Sequence, residues 1–358
     1  MLDATATLLK DLTEAHGVSG YEHEVRQVVR RYLEPYGELE QDKIGSVICT
    51  HTGRSPAPKV MLAGHMDEIG FMVRHITEEG FLKFLPLGGW SDQVLLGQRV
   101  VIKTRERGDV VGVIGAKPPH LLSGEERDKV VKKKDMYIDI GAISQAEVRA
   151  AGVQVGDVVV PRADFLVLAG GQTYLSKAFD DRVGCALVVD AMRYCAGHDH
   201  PNTVYGVATV MEEVGLRGAT TSARAVDPDV AIILESDIAG DVPGIKPEES
   251  EIKLGAGPSL IVYDSRLIPN LRLRELVMDT ARELELPLQL SAIEAGGTDG
   301  GAVHLHGIGV PTVCIAVAAR HIHSHGSMIH RRDYDQALQL LTTLIQKLDM
   351  STVAGLTA

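Results

Sequence analysis

The sequence predicts an α/β fold: a mixed open sheet flanked by helices, interrupted by a small β-rich, barrel-like domain. Three observations carry that expectation. The run Lys59-Val60-Met61-Leu62-Ala63-Gly64-His65 is almost wholly apolar until its last residue, as a strand covered on both faces requires. Helical and extended patterns alternate both before residue 70 and after Lys177. Between these stretches, short β-type runs separated by glycine-bearing turns replace the alternation.

In chain order, the first segment reads as two helices. Val25, Val28, Val29, Tyr32 and Leu33 recur at helical spacing in the second, and Pro35 with Gly37 stops it. The strand at 59–65 follows. The β-rich stretch contains Arg99–Lys103 and Val110–Ile114, and a charged segment, Gly124–Asp135, reads as a solvated loop. Ser144, with Glu147 three residues on, predicts a short capped helix. Asp180 or Asp181 then opens a helix through Val183, Leu187, Val188 and Met192. Strands are expected at 203–210, 230–234 and 311–317. A final helix is expected with Asp333 as its N-cap and Leu340, Leu341, Leu344 and Leu348 on its apolar face.

Composition narrows the function classes. A net charge of −12 disfavours a polyanionic partner, and aromatic content of 4% with one tryptophan leaves few platforms for stacking bases or sugars. Cys49, Cys185, Cys195 and Cys314 are scattered, which fits a reducing cytoplasm better than a disulfide framework. No run is apolar enough to span a bilayer, and the acidic, amphipathic N-terminus lacks the pattern of a secretion signal. A soluble cytoplasmic protein without nucleic-acid or membrane partners is expected.

Chemistry gathers at the strand ends. His65 and Asp67 follow the first strand, Glu212 and Glu213 the second, and Glu235 and Asp237 the third; the fourth leads into Arg320-His321-Ile322-His323-Ser324-His325. Open α/β sheets bind ligands beyond the carboxyl ends of their strands, so these groups can converge. Asp180, at a helix start, adds a carboxylate. Imidazoles with carboxylates suit Zn, Co or Mn. Each short motif alone has an ordinary surface or structural explanation. Burying so many charges without a cation would be strongly unfavourable, however, and their coincidence at four strand ends favours metal. Two close metals would polarise a carbonyl and activate water, with one carboxylate left free to move protons.

Five ordered segments carry a family resemblance: Ala63–Gly70, Lys177–Arg182, Glu212–Ala219, Gly296–Gly300 and Arg320–Ser324. Together they resemble metallopeptidase family 42, the glutamyl or tetrahedral (TET) aminopeptidases, some of which carry an old cellulase label. The resemblance runs from about Gly17 to the last helix. It implies a zinc-exopeptidase-like catalytic domain in two parts, 1–69 and 164–358, around an inserted dimerisation domain at 70–163. It also implies two divalent ions per subunit, zinc first and cobalt or manganese as alternatives. His65 and Glu235 would hold one, Glu213 and His323 the other, with Asp180 bridging. Glu212 would be the general base on the bridging water, and Asp67 would orient His65. Gly297, Thr298, Asp299, Arg320 and His321 are the implied substrate contacts. Two positions depart from the family pattern: Glu235 stands where Asp is usual, and His321 where Tyr is usual.

The expected activity is removal of N-terminal residues from short peptides by a homo-oligomer of dimers, up to a tetrahedral dodecamer. A deacylase, a carboxypeptidase, a glucanase and a non-catalytic scaffold are the competing readings. The glucanase is disfavoured because paired carboxylates need no histidines, the scaffold because every ligand type and Glu212 are retained. The first-residue preference is left open.

Overall fold

The structure is a computed structural model in which residues 2–358 are described. The chain opens with helices α1 (Ala4–Glu14) and α2 (His23–Leu33), followed by strands β1 (Glu38–Gln41), β2 (Val47–Thr52) and β3 (Lys59–His65). Six strands come next: β4 (Gly70–Ile76), β5 (Leu82–Leu87), β6 (Arg99–Thr104), β7 (Gly108–Gly115), β8 (Tyr137–Asp139) and β9 (Val158–Pro161), with short helices α3 (Gly124–Arg127) and α4 (Gln145–Ala150) among them. The chain continues through β10 (Leu166–Val167), β11 (Thr173–Ser176), α5 (Phe179–Gly197), β12 (Thr203–Thr209), α6 (Arg217–Val226), β13 (Val230–Ile238) and β14 (Ser259–Tyr263). It ends with α7 (Leu271–Glu283), β15 (Gln289–Ala292), α8 (Gly300–Val303), β16 (Thr312–Arg320), β17 (Ser327–His330), α9 (Arg331–Lys347) and α10 (Met350–Gly355).

An 11-stranded mixed sheet forms the main body, with β12, β3, β13 and β16 side by side and parallel at its centre. These central strands are apolar on both faces because both are covered. Val60 and Leu62 of β3 point into a core shared with α1, α2, α5 and α9, while Met61 and Ala63 pack with α6 and α8 on the other side. The helix α5 lies close to β3 because glycines meet there. A Cβ on Gly64 would stand 2.7 Å from the Gly184 carbonyl carbon.

Strands β4, β5, β8, β7, β6 and β9 close into a separate barrel. Its interior is filled by Phe71, Val73, Leu82, Val100, Ile102, Ile114 and Ile138. The barrel's first and last strands are neighbours, with Phe71 opposite Val159. The chain therefore leaves and re-enters the main body at one place.

Three local expectations are corrected. The charged segment from Gly124 contains the helical turn α3, because Ser123 and Glu126 form a reciprocal capping box. The strand expected to stop at Leu234 runs to Ile238, held in register by β16 through Ile238–Ala319 pairing, so Glu235 lies within it. The expectation for α5 holds, because its regular turns start after the non-helical Asp180 and Asp181, and the Asp181 carboxylate accepts the Gly184 amide three residues on. Asp333 is not the cap of α9. His330 takes that role, and the Asp333 carboxylate instead accepts the amides of Gly255 and Gly257.

Candidate metal centre

The four central parallel strands deliver their carboxyl ends to one edge of the sheet. There lies a cavity of about 790 Å³, with His65, Asp180, Glu212, Glu213, Glu235 and His323 in its wall. Two triads of potential ligands share a residue. Single ligand atoms of His65, Asp180 and Glu235 lie within 4.8 Å of one another, as do those of Asp180, Glu213 and His323. The Nε2 atom of His65 is 3.1 Å from one Asp180 oxygen, and that of His323 is 3.0 Å from the other.

Both imidazoles are aimed from behind. His65 Nδ1 lies 3.0 Å from the Asp67 carbonyl and 3.5 Å from its carboxylate, while His323 Nδ1 lies 2.6 Å from the Gly89 carbonyl. An Nδ1–H donated to either acceptor leaves Nε2 free to coordinate. The Asp180–Asp181 peptide is cis, and the two carboxylates part company there. Asp180 faces the cavity, whereas Asp181 is buried and accepts the backbone amides of His65 and Gly184.

Electrostatics expose a surplus of negative charge. Burial pushes the Glu212 and Glu235 carboxyls well above their ordinary range, against the attraction of His65, and neighbouring carboxylates add to both shifts. Glu213 is raised by burial and by Asp180. Burial opposes charge on His323, yet hydrogen bonds to Asp180 and Glu213 raise it to about 11; His65 is likewise held well above its usual value by Glu235 and Asp180. Asp180 feels the same burial, but His323 and His65 outweigh it and hold the carboxyl low. Protons on two imidazoles are therefore a partial substitute for cations. A nitrogen–oxygen donor set, a shared carboxylate and uncompensated charge fit divalent metal ions.

The other expected site residues fall differently. Gly297 and Thr298 line the cavity, and Thr298 donates to Asp264. Asp299 lies behind the wall, bonded to the Thr209 hydroxyl, where burial raises its carboxyl to about 6. Arg320 is turned to Asp241, with Nε 2.8 Å from the carboxylate, and neither it nor the exposed His321 is part of the cavity wall. Asp237 accepts the hydroxyls of Ser259 and Ser291, and His325 is buried against Trp90.

One lining residue carried no signal in the sequence. Arg266 sits in a loop without periodicity, yet among the described residues it is the one lysine or arginine lining the cavity. Among the described residues no carboxylate lies within 4.0 Å of its guanidinium. Gly297 makes room for it, since a Cβ there would stand 2.5 Å from the Arg266 Cγ.

Comparisons with known proteins bear on this geometry. The family model described as M42 glutamyl aminopeptidase matches residues 45–340. The Escherichia coli protein FrvX is 42% identical over 343 residues, covering 94% of this chain and 95% of FrvX. The glutamyl aminopeptidase of Lactococcus lactis is 34% identical, with 97% of both chains covered. A crystal structure of a TET aminopeptidase from a marine sediment Thaumarchaeota archaeon superposes with a TM-score of 0.96 at 49% identity, covering 99% of this chain and 100% of that one. The Pyrococcus horikoshii TET1 peptidase, described as able to assemble into a tetrahedron or a large octahedral shell, gives 0.86 at 31% identity, with 96% and 100% covered.

Proposed function

The chain belongs to the M42 glutamyl aminopeptidase family and is a metallo-aminopeptidase, and on that premise we propose that it removes single residues from the N-termini of short peptides with two divalent ions, zinc first, and Glu212 as base. His65, Asp180 and Glu235 would hold one ion, and Asp180, Glu213 and His323 the other. When bound, the ions supply Lewis acidity toward the scissile carbonyl and toward water.

The observation that carries the reading is the position of Glu212. It lines the cavity, belongs to neither triad, and its Oε2 lies 3.8 Å from His65 Nε2. A carboxylate kept off the ions is free to take a proton from the attacking water and return it to the departing amine as the C–N bond breaks. Asp67, through its carbonyl and carboxylate, keeps His65 in the tautomer that presents Nε2. The relatives named as aminopeptidases favour an aminopeptidase over a carboxypeptidase.

Arg266 directs the first-residue preference. A guanidinium in the cavity wall without a carboxylate partner favours an acidic first residue, in keeping with the name of the glutamyl relative. For the assembly we adopt dimers built through residues 70–163, flanked by catalytic parts 1–69 and 164–358, and a tetrahedral dodecamer like the one described for the TET1 peptidase. Leu85, Val111 and Val113 give the barrel exposed apolar positions for such contacts.

The test is a panel of free and N-acetylated aminoacyl-anilides with stripped and with metal-reloaded protein. Cleavage of free-amine substrates alone, and only after reloading, is expected. Preferential cleavage of the acetylated set would make the protein a deacylase instead. Within the panel, Arg266→Ala is expected to lower kcat/KM for glutamyl substrates about 10-fold or more relative to leucyl ones, the scale of one lost charge-assisted hydrogen bond.

A further inference from the structure

Three consecutive backbone amides at the end of β12 are each accepted by a buried carboxylate. The Met211 N–H donates to Glu22 Oε1 at 3.2 Å, the Glu212 N–H to Asp67 Oδ1 at 2.9 Å, and the Glu213 N–H to Asp67 Oδ2 at 3.2 Å. Met211 has φ of 55°, a left-handed conformation that Cβ-bearing residues avoid. Something must hold it there.

Glu22 is only 1% exposed and stands at the N-terminus of α2, yet its side chain makes no capping bond to that helix. It turns back instead, accepting Gly20 N–H at 2.6 Å together with Met211 N–H. Ser19, in the same turn, donates its hydroxyl to Asp67 Oδ2 at 2.6 Å. The whole turn is docked on the main body through Glu68 N–H to the Gly17 carbonyl, 2.9 Å. Ordinary helix capping does not account for this arrangement. An unbroken row of amides directed inward at carboxylates does something else: it leaves the Glu212 and Glu213 side chains facing the cavity.

We propose that Glu22 is a positioning residue for the general base, its buried carboxylate fixing the left-handed turn at Met211 from which Glu212 and Glu213 project. Ser19 assists from the Asp67 side. The proposal rests on the reading of Glu212 as base, but its structural half can be measured without turnover.

The experiment compares wild type, Glu22→Gln, Glu22→Ala and Glu22→Asp by backbone hydrogen exchange of metal-free protein and by steady-state kinetics after reloading. Gln keeps an acceptor at the same reach, and Ala and Asp do not. Faster exchange at amides 211–213 is expected in Ala and Asp, and wild-type exchange in Gln. In Ala and Asp a fall in kcat of about 100-fold, the scale of a displaced catalytic group, is expected with KM preserved, together with weaker binding of the ion that Glu213 would hold. Gln should restore kcat to within about 3-fold, because neutral acceptors serve nearly as well. Unchanged exchange in the Ala or Asp protein would overturn the proposal, as would a Gln protein as slow as Ala. Should Ala fail to fold, Asp decides. If wild type hydrolyses no peptide, the assignment of Glu212 as base fails, while exchange still decides the clamp.

Discussion

Glu212 and Glu213 are adjacent, and the strand-end geometry sends them to different work. Glu213 stands 3.3 Å from His323 within one ligand triad, while Glu212 belongs to neither triad. Glu212→Gln is accordingly expected to lower kcat by about 10³-fold or more, near the upper range for a lost general base. Elemental analysis should still find wild-type metal; loss of an ion would mean that Glu212 is a ligand. A second expectation concerns Glu22, which burial and the nearby Asp67 charge push up from 4.5 to about 7. Between those values the folded chain holds a proton that the unfolded chain has released. The contribution is thus full below the unfolded value and lost as pH rises through the folded one. It amounts to about 3 kcal/mol at most. Denaturant unfolding of metal-free protein from about pH 4 to about pH 8 should show a decline to which Glu22 contributes, and Glu22→Gln should make it shallower. Residue identity made the histidines and carboxylates at the strand ends legible, because strands must finish somewhere and charge rarely finishes a buried one. Glu22 and Arg266 were not legible. Their roles depend on backbone amides and on glycines far along the chain.

At the level of elements, the carboxyl edge works because α5 can approach β3 closely. Asp181, near the start of α5, reaches the His65 amide at 3.0 Å only because Gly64 and Gly184 have no side chains between them. Gly64→Ala would force these backbones apart. A loss of about 3 kcal/mol or more in unfolding free energy is expected, as for overpacking against an unyielding backbone. Weaker metal binding should accompany it, read by chelator competition; an alanine protein with wild-type stability and affinity would show that the contact is slack. Central strands were readable because two covered faces demand continuous apolar residues, as in Val230–Leu234. Edge strands such as β1, whose residues are mostly exposed, carry no such demand and left no pattern. Asp333 misled for a different reason. A carboxylate near a helix start looks like a cap, and the sequence does not reveal that two amides of a distant loop compete for it.

For the whole molecule, the barrel is the feature that composition alone announced, through its change of turn rhythm near residue 70. Its apolar exterior at Val111 and Val113, 47% and 40% exposed on one face of β7, is suited to contact another subunit. Val111→Glu with Val113→Glu should therefore reduce the assembly in light scattering, while the isolated chain keeps its fold. An unchanged particle mass would move the interface elsewhere. The pairing of Phe71 with Val159 has a consequence for how the chain folds as well. Strands β3 and β12 are partners in the sheet but lie about 140 residues apart, and a closed barrel shortens the effective loop between them to about 50 residues, a gain of about 1 kcal/mol in closure entropy. A barrel that forms early would act as a splint across a long gap in the sheet, so that assembly of the metal-binding edge follows the closure of a part that contributes none of its ligands.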